Sequence, residues 1–285
     1  MQQIEVITGP TCSGKTVMAL LQAAVDPTIE VINADASLLY RGFDIGTAKP
    51  SQEIRSRVRH HIVDILEPSE FYSASDYTKL ARSIIRTMVL EGKKPLVVGG
   101  TGFYIDALFF GLASLEVDEN VLQDARLRVE REMKDFGFDM MLKRLEDVDP
   151  IMHQQVSREK NPRRLERAWE YFYAADKPLG EARQQKSEPF EFAPSFTLLD
   201  LEREDLRIRI ANRIDEMLDS GWLKEVESLL GRGIVQGMPA MKAIGYHELT
   251  DVIYGVSDVA SARLKIINRT RQYAKRQVTW MKRYR

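Results

Sequence analysis

The apolar positions in the first part of the chain gather into short runs separated by longer mixed stretches. Ile4-Glu-Val-Ile-Thr8, Ile29-Glu-Val-Ile-Asn33 and Pro95-Leu-Val-Val98 are rich in β-branched residues and too short for helices. Runs of this kind predict strands buried on both faces, as in a parallel sheet. Ile62-Val-Asp-Ile65, closed by Pro68, predicts a further short strand. Between the runs lie helix-forming stretches. One covers residues 17–25; another opens at Ser73-Ala-Ser-Asp76, which has capping-box spacing, and runs to about Gly92. Strands alternating with helices indicate a parallel sheet with helices on both faces.

The pattern changes near Gly111. From there to about Phe192 the periodicity is helical and no strand is predicted. Helices are expected over residues 119–136, 139–147, 162–175 and 179–185, with breaks at Gly137, Pro150, Pro162 and Pro178. Residues 195–201 read as a return to the sheet, followed by helices at 203–220, 223–230, 246–254 and 258–285. No internal repeat interrupts this order.

One turn in the pattern carries chemistry. The first strand is followed by Gly9-Pro-Thr-Cys-Ser-Gly-Lys-Thr16, a complete G-x-x-x-x-G-K-[ST] phosphate-binding loop, and then by the first helix. Gly9 and Gly14 let the backbone curl around an anion, so that successive N–H groups and the helix N-terminus face the phosphates. Lys15 adds a charge, and the Thr16 hydroxyl is a ligand for Mg²⁺. The chain is expected to bind a di- or triphosphate. The fold class that follows is α/β, a P-loop NTPase-like parallel sheet with helices on both faces, plus an all-helical insertion. Its expected domains are a core built from residues 1–112 and 194–285 and an insertion over residues 113–193.

Composition narrows the setting. The 285 residues are 44% hydrophobic and 29% charged, ordinary for a globular protein with a sizeable core. No apolar run approaches a membrane span, and the start lacks the basic and apolar regions of a signal peptide, so a cytoplasmic protein is expected. The single cysteine, Cys12, excludes an intramolecular disulfide and gives no metal-site spacing. The net charge of −1 hides an asymmetry, because residues 263–285 hold nine Lys/Arg and no Asp or Glu. A second basic cluster spans residues 158–167, whereas residues 116–149 are rich in acids. Charge composition alone fits a solvated helix face or a local nucleic-acid contact.

The loop suggests a kinase or NTPase, yet the acid that such an enzyme carries at the end of a second strand is missing. Leu96-Val-Val98 ends in Gly99-Gly-Thr101, and the acid instead follows the Val31-Ile-Asn33 strand as Asp35. A carboxylate at the carboxyl edge of such a sheet is placed to take a proton from an acceptor, with Thr101 donating to a reacting phosphate. Position alone leaves open whether Asp35 does this or caps its loop.

At these residues the chain resembles a known family. Besides the phosphate loop, Asp35-Ala-Ser-Leu-Leu-Tyr-Arg-Gly-Phe-Asp-Ile-Gly-Thr-Ala-Lys-Pro50, His60-His-Ile-Val-Asp64 and Val98-Gly-Gly-Thr101 are similar to the bacterial tRNA dimethylallyltransferases, or tRNA isopentenyltransferases. Pro162-Arg-Arg-Leu-Glu-Arg-Ala168, Ala243-Ile-Gly-Tyr246 and Thr270-Arg-Gln-Tyr-Ala-Lys-Arg-Gln-Val-Thr-Trp280 continue the match in order over nearly the whole chain. The resemblance implies transfer of a dimethylallyl group from dimethylallyl diphosphate to N6 of adenosine 37, beside the tRNA anticodon, releasing diphosphate. It implies Mg²⁺ as cofactor and a P-loop that holds the prenyl donor through Gly9, Pro10, Thr11, Cys12, Ser13, Gly14, Lys15 and Thr16. Asp35 matches the family's general base, Thr101 its diphosphate and acceptor contact, and Arg209 or Arg213 its donor-binding arginine, of which Arg209 is expected. Contacts to the anticodon stem-loop are implied for Asp35, Ala36, Ser37, Leu38, Thr101, Gln123, Arg163, Arg164, Arg167, Lys275 and Arg276.

The chain departs from the pattern at Ala36-Ser37, where the family usually places a serine first, and at Cys12, which replaces a smaller residue. His60 and His61 are expected to be structural, and the aromatic cluster Trp169, Tyr171, Phe172 and Tyr173 to pack a core unless one ring stacks on an unpaired base. A monomer is expected. The alternatives are a prenyltransferase acting on free adenine nucleotides, a small-molecule kinase with the same loop, and a non-catalytic RNA binder. The long helical insertion and the acid-free basic tail favour a macromolecular acceptor.

Overall fold

A computed structural model of the chain describes residues 2–112, 117–184 and 188–285. The elements in chain order are β1 (Gln3–Thr8), α1 (Lys15–Val25), β2 (Ile29–Asn33), α2 (Gln52–Arg57), β3 (His60–His61), α3 (Ala74–Leu90), β4 (Lys94–Gly99) and α4 (Gly102–Phe110). Next come α5 (Glu119–Val148), α6 (Pro150–Glu159), α7 (Pro162–Ala175) and α8 (Leu179–Ala182). They are followed by β5 (Ala193–Leu198), α9 (Arg203–Asp219), α10 (Trp222–Gly231), α11 (Tyr246–Ile253) and α12 (Val259–Met281). The chain divides into two compact units, Met1–Phe109 with Phe190–Arg285, and Phe110–Pro189.

The first unit holds a five-stranded sheet in the order β3-β2-β4-β1-β5, with every pairing parallel. Residues alternate across it. Ile4, Val6, Ile32 and Val97 face Tyr77, Ala81 and Ile85 of α3 and Ile105 and Leu108 of α4. Ile7, Val31, Leu96 and Val98 face the other way, against Ala19 of α1. Apolar burial on both faces is what the unbroken runs required. A second core, built on Trp222, Tyr246, Ile210, Ile214 and Ile266, holds α9 to α12 together.

The second unit is helical throughout its described residues. Its core gathers Met141, Leu145, Val156, Leu165 and Trp169. Trp169 and Tyr171 are buried, and the Arg128 guanidinium lies over the Tyr173 ring, so this aromatic cluster packs the unit. The unit begins at Phe110 and ends at Pro189, three and four residues ahead of the expected bounds. Two flanking phenylalanines set those ends: Phe190 N–H donates to Phe109 O at 3.0 Å, and both rings are buried in the sheet's core.

Several elements differ from the sequence reading. The strand expected at residues 62–65 lies earlier, at His60–His61, because Ile62 and Asp64 take left-handed backbone conformations (φ 62° and 56°). Asp64 is turned to bind Lys49 (2.5 Å) and Arg55 (2.6 Å). The helix α6 was not foreseen. Pro150, read as a breaker, occupies its first turn, where proline lacks nothing, and Asp149 caps Met152 N. The helix α4 also escaped notice, since it is apolar on every side and has no amphipathic period. The break expected at Gly137 is present inside α5 (φ 72°, ψ 172°). The last helix of the insertion ends at Ala182, and Gln185 of the expected range lies outside the described residues, as do residues 113–116 around the expected boundary.

Candidate active site

The loops that follow β1, β2 and β4 meet at the carboxyl edge of the sheet. Residues 9–14 follow β1 and turn into α1 through Gly14, whose φ of 93° is costly for any residue with a Cβ. Gly9 is equally constrained, because a Cβ there would stand 2.6 Å from Ser13 Oγ and 2.7 Å from Leu199 O. Inside this curve lies the Lys15 ammonium, donating to Gly9 O at 3.0 Å and Pro10 O at 2.8 Å. Burial lowers its pKa to about 8, with Asp35 opposing that shift and Arg213 adding to it. Ser13 Oγ is buried without a hydrogen-bond partner, in a loop built for an anion. Thr16 is exposed at the helix N-terminus, and Cys12, half-buried at φ 65°, places Sγ 3.8 Å from Thr11 Oγ1.

Asp35 ends the loop after β2. Asn33 fixes it from both sides, accepting from Asp35 N (2.8 Å) and donating to Asp35 O (2.9 Å). The carboxylate caps a short turn over Ala36–Leu39, with Oδ1 accepting from Ser37 N (3.0 Å) and Ser37 Oγ (2.7 Å). Both roles left open by the sequence are therefore compatible: Oδ1 caps, and among the described residues no group hydrogen-bonds Oδ2. The Ala36-Ser37 departure gains a physical sense here, since the hydroxyl sits at 37 and orients the acid. Thr101, one residue before α4, accepts from Ala36 N at 3.1 Å and so lies beside Asp35. A cleft of about 60 Å³ is lined by Lys15, Thr16, Asn33, Asp35, His60 and Gly99, among others. Burial pulls the His60 pKa down, and its Nδ1 lies 2.7 Å from Val58 O. His61 is bound to Glu30 at 2.6 Å and packs the sheet edge.

Two side chains that the sequence reading did not single out enter from α12. Gln277 reaches both Thr11 N (2.8 Å) and Gly100 O (3.0 Å). Tyr273, one turn earlier, lies close enough to Asp35 for burial, together with that charge, to raise its pKa. The available signal was helical spacing: residues 273 and 277 share one face of a helix that is otherwise basic. The arginine expectation also shifts. Arg213, half-buried, is close enough to Lys15 to depress its pKa, whereas Arg209 is exposed and contributes nothing there. One turn of α9 separates the two, and helical spacing alone puts both on one face.

The other expected residues make contacts of their own. Lys275 and Arg276 of α12 line an open groove of about 560 Å³ with Gln272, Thr279, Trp280 and Arg283. Gln123 and the three α7 arginines belong to the insertion unit. Gln123 is exposed and accepts from Arg126 at 3.3 Å. Arg163 (2.7 Å) and Arg167 (3.2 Å) both bind Glu170, which is buried, and Arg164 binds Glu159 at 2.8 Å. These arginines neutralise carboxylates of their own unit, a role the sequence reading had not assigned.

Residues 38–284 match the family model described as IPP transferase. The chain is 39% identical over 277 residues to a tRNA dimethylallyltransferase 2 of Geotalea daltonii, covering 96% of this chain and 83% of the relative. It is 37% identical to a tRNA dimethylallyltransferase of Pelotomaculum thermopropionicum, over 98% and 88% of the two chains. Among solved structures, a tRNA isopentenylpyrophosphate transferase of Staphylococcus epidermidis aligns with a TM-score of 0.68 at 33% identity, over 99% of this chain and 90% of that one. A eukaryotic dimethylallyltransferase acting on tRNA aligns with a TM-score of 0.79 at 26% identity, over 99% and 70%.

Proposed function

The chain belongs to the IPP transferase family, and from that premise we propose that it transfers a dimethylallyl group from dimethylallyl diphosphate to N6 of adenosine 37 in tRNA, releasing diphosphate. The observation that carries this reading is a single hydrogen-bonded set at the sheet edge. An anion loop with its lysine is tied there through Gln277 to the Gly100-Thr101 turn, and Thr101 accepts from Ala36 N beside a carboxylate that has one free oxygen.

The adenine N6 lone pair is delocalised into the ring, so N6 attacks the allylic carbon well only as its proton leaves. Asp35 Oδ2 is the acceptor for that proton, a role worth about 10²–10⁴-fold. As N6 bonds to C1 of the donor, the C1–O bond breaks and its electron pair passes to the diphosphate. Loop N–H groups, Lys15 and Arg213 stabilise that growing charge most where it is greatest, in the transition state. Thr16 offers a hydroxyl for Mg²⁺. Among the described residues no group of three or more His, Cys, Asp or Glu could hold a metal ion, and Thr16 is the group that would hold Mg²⁺ here. When bound, Mg²⁺ screens the diphosphate charge.

For the acceptor, a base drawn out of the anticodon loop brings an exocyclic amine to Asp35 that stacking would otherwise hide. The α12 groove and exposed groups of the insertion unit supply phosphate contacts. No helix of the described residues is long and apolar enough to cross a membrane; the proposed enzyme is a monomer that meets tRNA in the cytoplasm.

Labelled dimethylallyl diphosphate offered with tRNA or with AMP tests the reading. Label is expected in tRNA, and label in AMP or phosphate transfer from ATP would replace it with one of the rivals. In the same assay Asp35→Asn, which keeps size but cannot take the proton, should slow single-turnover transfer by about 10²-fold or more. Donor and tRNA affinity should stay within a few-fold. Near-normal chemistry in this variant would make Asp35 a cap only.

A further inference from the structure

We propose that Gln277 is a positioning residue of this reaction, holding the phosphate-binding loop and the Thr101 turn in register through the two ends of one side-chain amide. The proposal rests on the functional reading above. Gln277 is 5% exposed and sits on the inner face of α12. Its Oε1 accepts from Thr11 N at 2.8 Å, across 266 residues of chain, and its Nε2 donates to Gly100 O at 3.0 Å, across 177. The two partners belong to the loops that leave the adjacent strands β1 and β4. One loop cradles the donor. The other leads directly into Thr101, whose Oγ1 accepts from Ala36 N beside Asp35.

A continuous path thus runs from the donor cradle through Gln277 and Gly100 to the acceptor acid. Among the described residues no backbone hydrogen bond joins the two loops beyond the strand pairing that ends at Thr8 and Gly99, so the amide continues the pairing where the strands stop. Gly100 confirms how closely the parts fit, since a Cβ there would overlap Nε2 of Gln277. Burying an amide with both ends matched is worthwhile only where both partners are fixed, and loss of either leaves a buried polar group unpaired. The chemistry gives the geometry its consequence. N6, C1 and the leaving oxygen must align, and a shift of about 1 Å in such an arrangement costs about 10² in rate. An ordinary packing role would affect how many molecules fold and leave each folded molecule's rate alone.

Single-turnover transfer of labelled dimethylallyl diphosphate to tRNA, with both bound to saturation, separates these roles, because amplitude counts competent molecules and the rate constant reports alignment. Gln277→Met keeps the volume and removes both bonds. Gly100→Ala keeps the amide group but displaces it. Each should lower the rate constant by about 10²-fold with donor and tRNA affinities within a few-fold. The double variant should be no slower than the slower single, because a flexible methionine yields to the added methyl and the two changes act on one contact. Parental rate constants in the folded variants, whatever the amplitude, would overturn the positioning role while leaving the function standing. Failure of the parent protein to transfer label to tRNA would remove the function and the positioning role with it.

Discussion

Lys15 shows how one side chain carries opposing demands. Burial brings its pKa from 10.5 to about 8, so the ammonium is held at neutral pH against desolvation and the nearby Arg213 charge. Between pH 8 and 10.5 the unfolded chain holds more protons at this site than the folded one. Stability therefore rises with pH through that window, and the burial penalty is fully present below it. Donor binding runs the other way. A diphosphate favours the ammonium, so affinity should be greatest below about pH 8 and fall above it, with proton uptake on binding near pH 8–9. Calorimetry in chelator-containing buffers of different ionisation enthalpy measures both. Arg213→Ala should weaken binding and move the midpoint upward, since it removes a charge that depresses Lys15, whereas Arg209→Ala should do neither. A midpoint that follows Arg209 would return the donor contact to the residue first expected.

At the scale of elements, the signals that read true were those with a local cause. The capping box at Ser73 and Asp76 opens α3 where expected, since both of its hydrogen bonds are made between neighbours in sequence. Signals that misled depended on context. Pro150 reads as a break unless the Asp149 cap behind it is recognised, and α4 has no polar stripe because apolar residues fill both its buried side, with Ile105 and Leu108, and its exposed side, with Phe103 and Phe110. Gly137 is a local signal of the strongest kind. At φ 72° and ψ 172° it occupies a region open essentially to glycine alone, while the space around its absent Cβ is free. Gly137→Ala should therefore destabilise the insertion unit through backbone strain alone, by about 1–3 kcal/mol. Amide hydrogen exchange along α5 and α7 should quicken accordingly, with the sheet's amides unchanged. Unaltered exchange in α5 would mean that the break relaxes into continuous helix without cost.

For the whole molecule, the sequence disclosed which loops carry chemistry but not how they are joined. Asp35 and Thr101 are separated by 66 positions, and motif spacing can place each beside a strand end without showing that Ala36 N–H bridges them. Gln277 was less visible still, because its partners are two backbone atoms with no signature of their own. The same limit applies to charge. Counting Lys and Arg treated the α7 cluster and the α12 tail alike, but their surroundings differ. Among the described residues no carboxylate lies within ion-pair reach of Lys275 or Arg276, while Arg163 and Arg167 already neutralise buried Glu170. A free cation that contacts a phosphate releases a counterion, and each such contact adds about 0.7–0.9 to the slope of log affinity against log salt. A cation shared with a buried acid gains less from the phosphate. Removing every cation on such an acid instead strands it, at a cost of about 3–5 kcal/mol in stability when the acid stays charged. Lys275→Ala and Arg276→Ala should each lower the salt slope of tRNA binding by nearly one and leave unfolding unchanged. Replacing Arg163 and Arg167 together by alanine should lower the slope little and the unfolding midpoint substantially. Filter binding across a salt series, with urea unfolding of the same preparations, distinguishes the two groups. Equal slope losses with equal stability would show that the Glu170 pairing does not withhold Arg163 and Arg167 from tRNA.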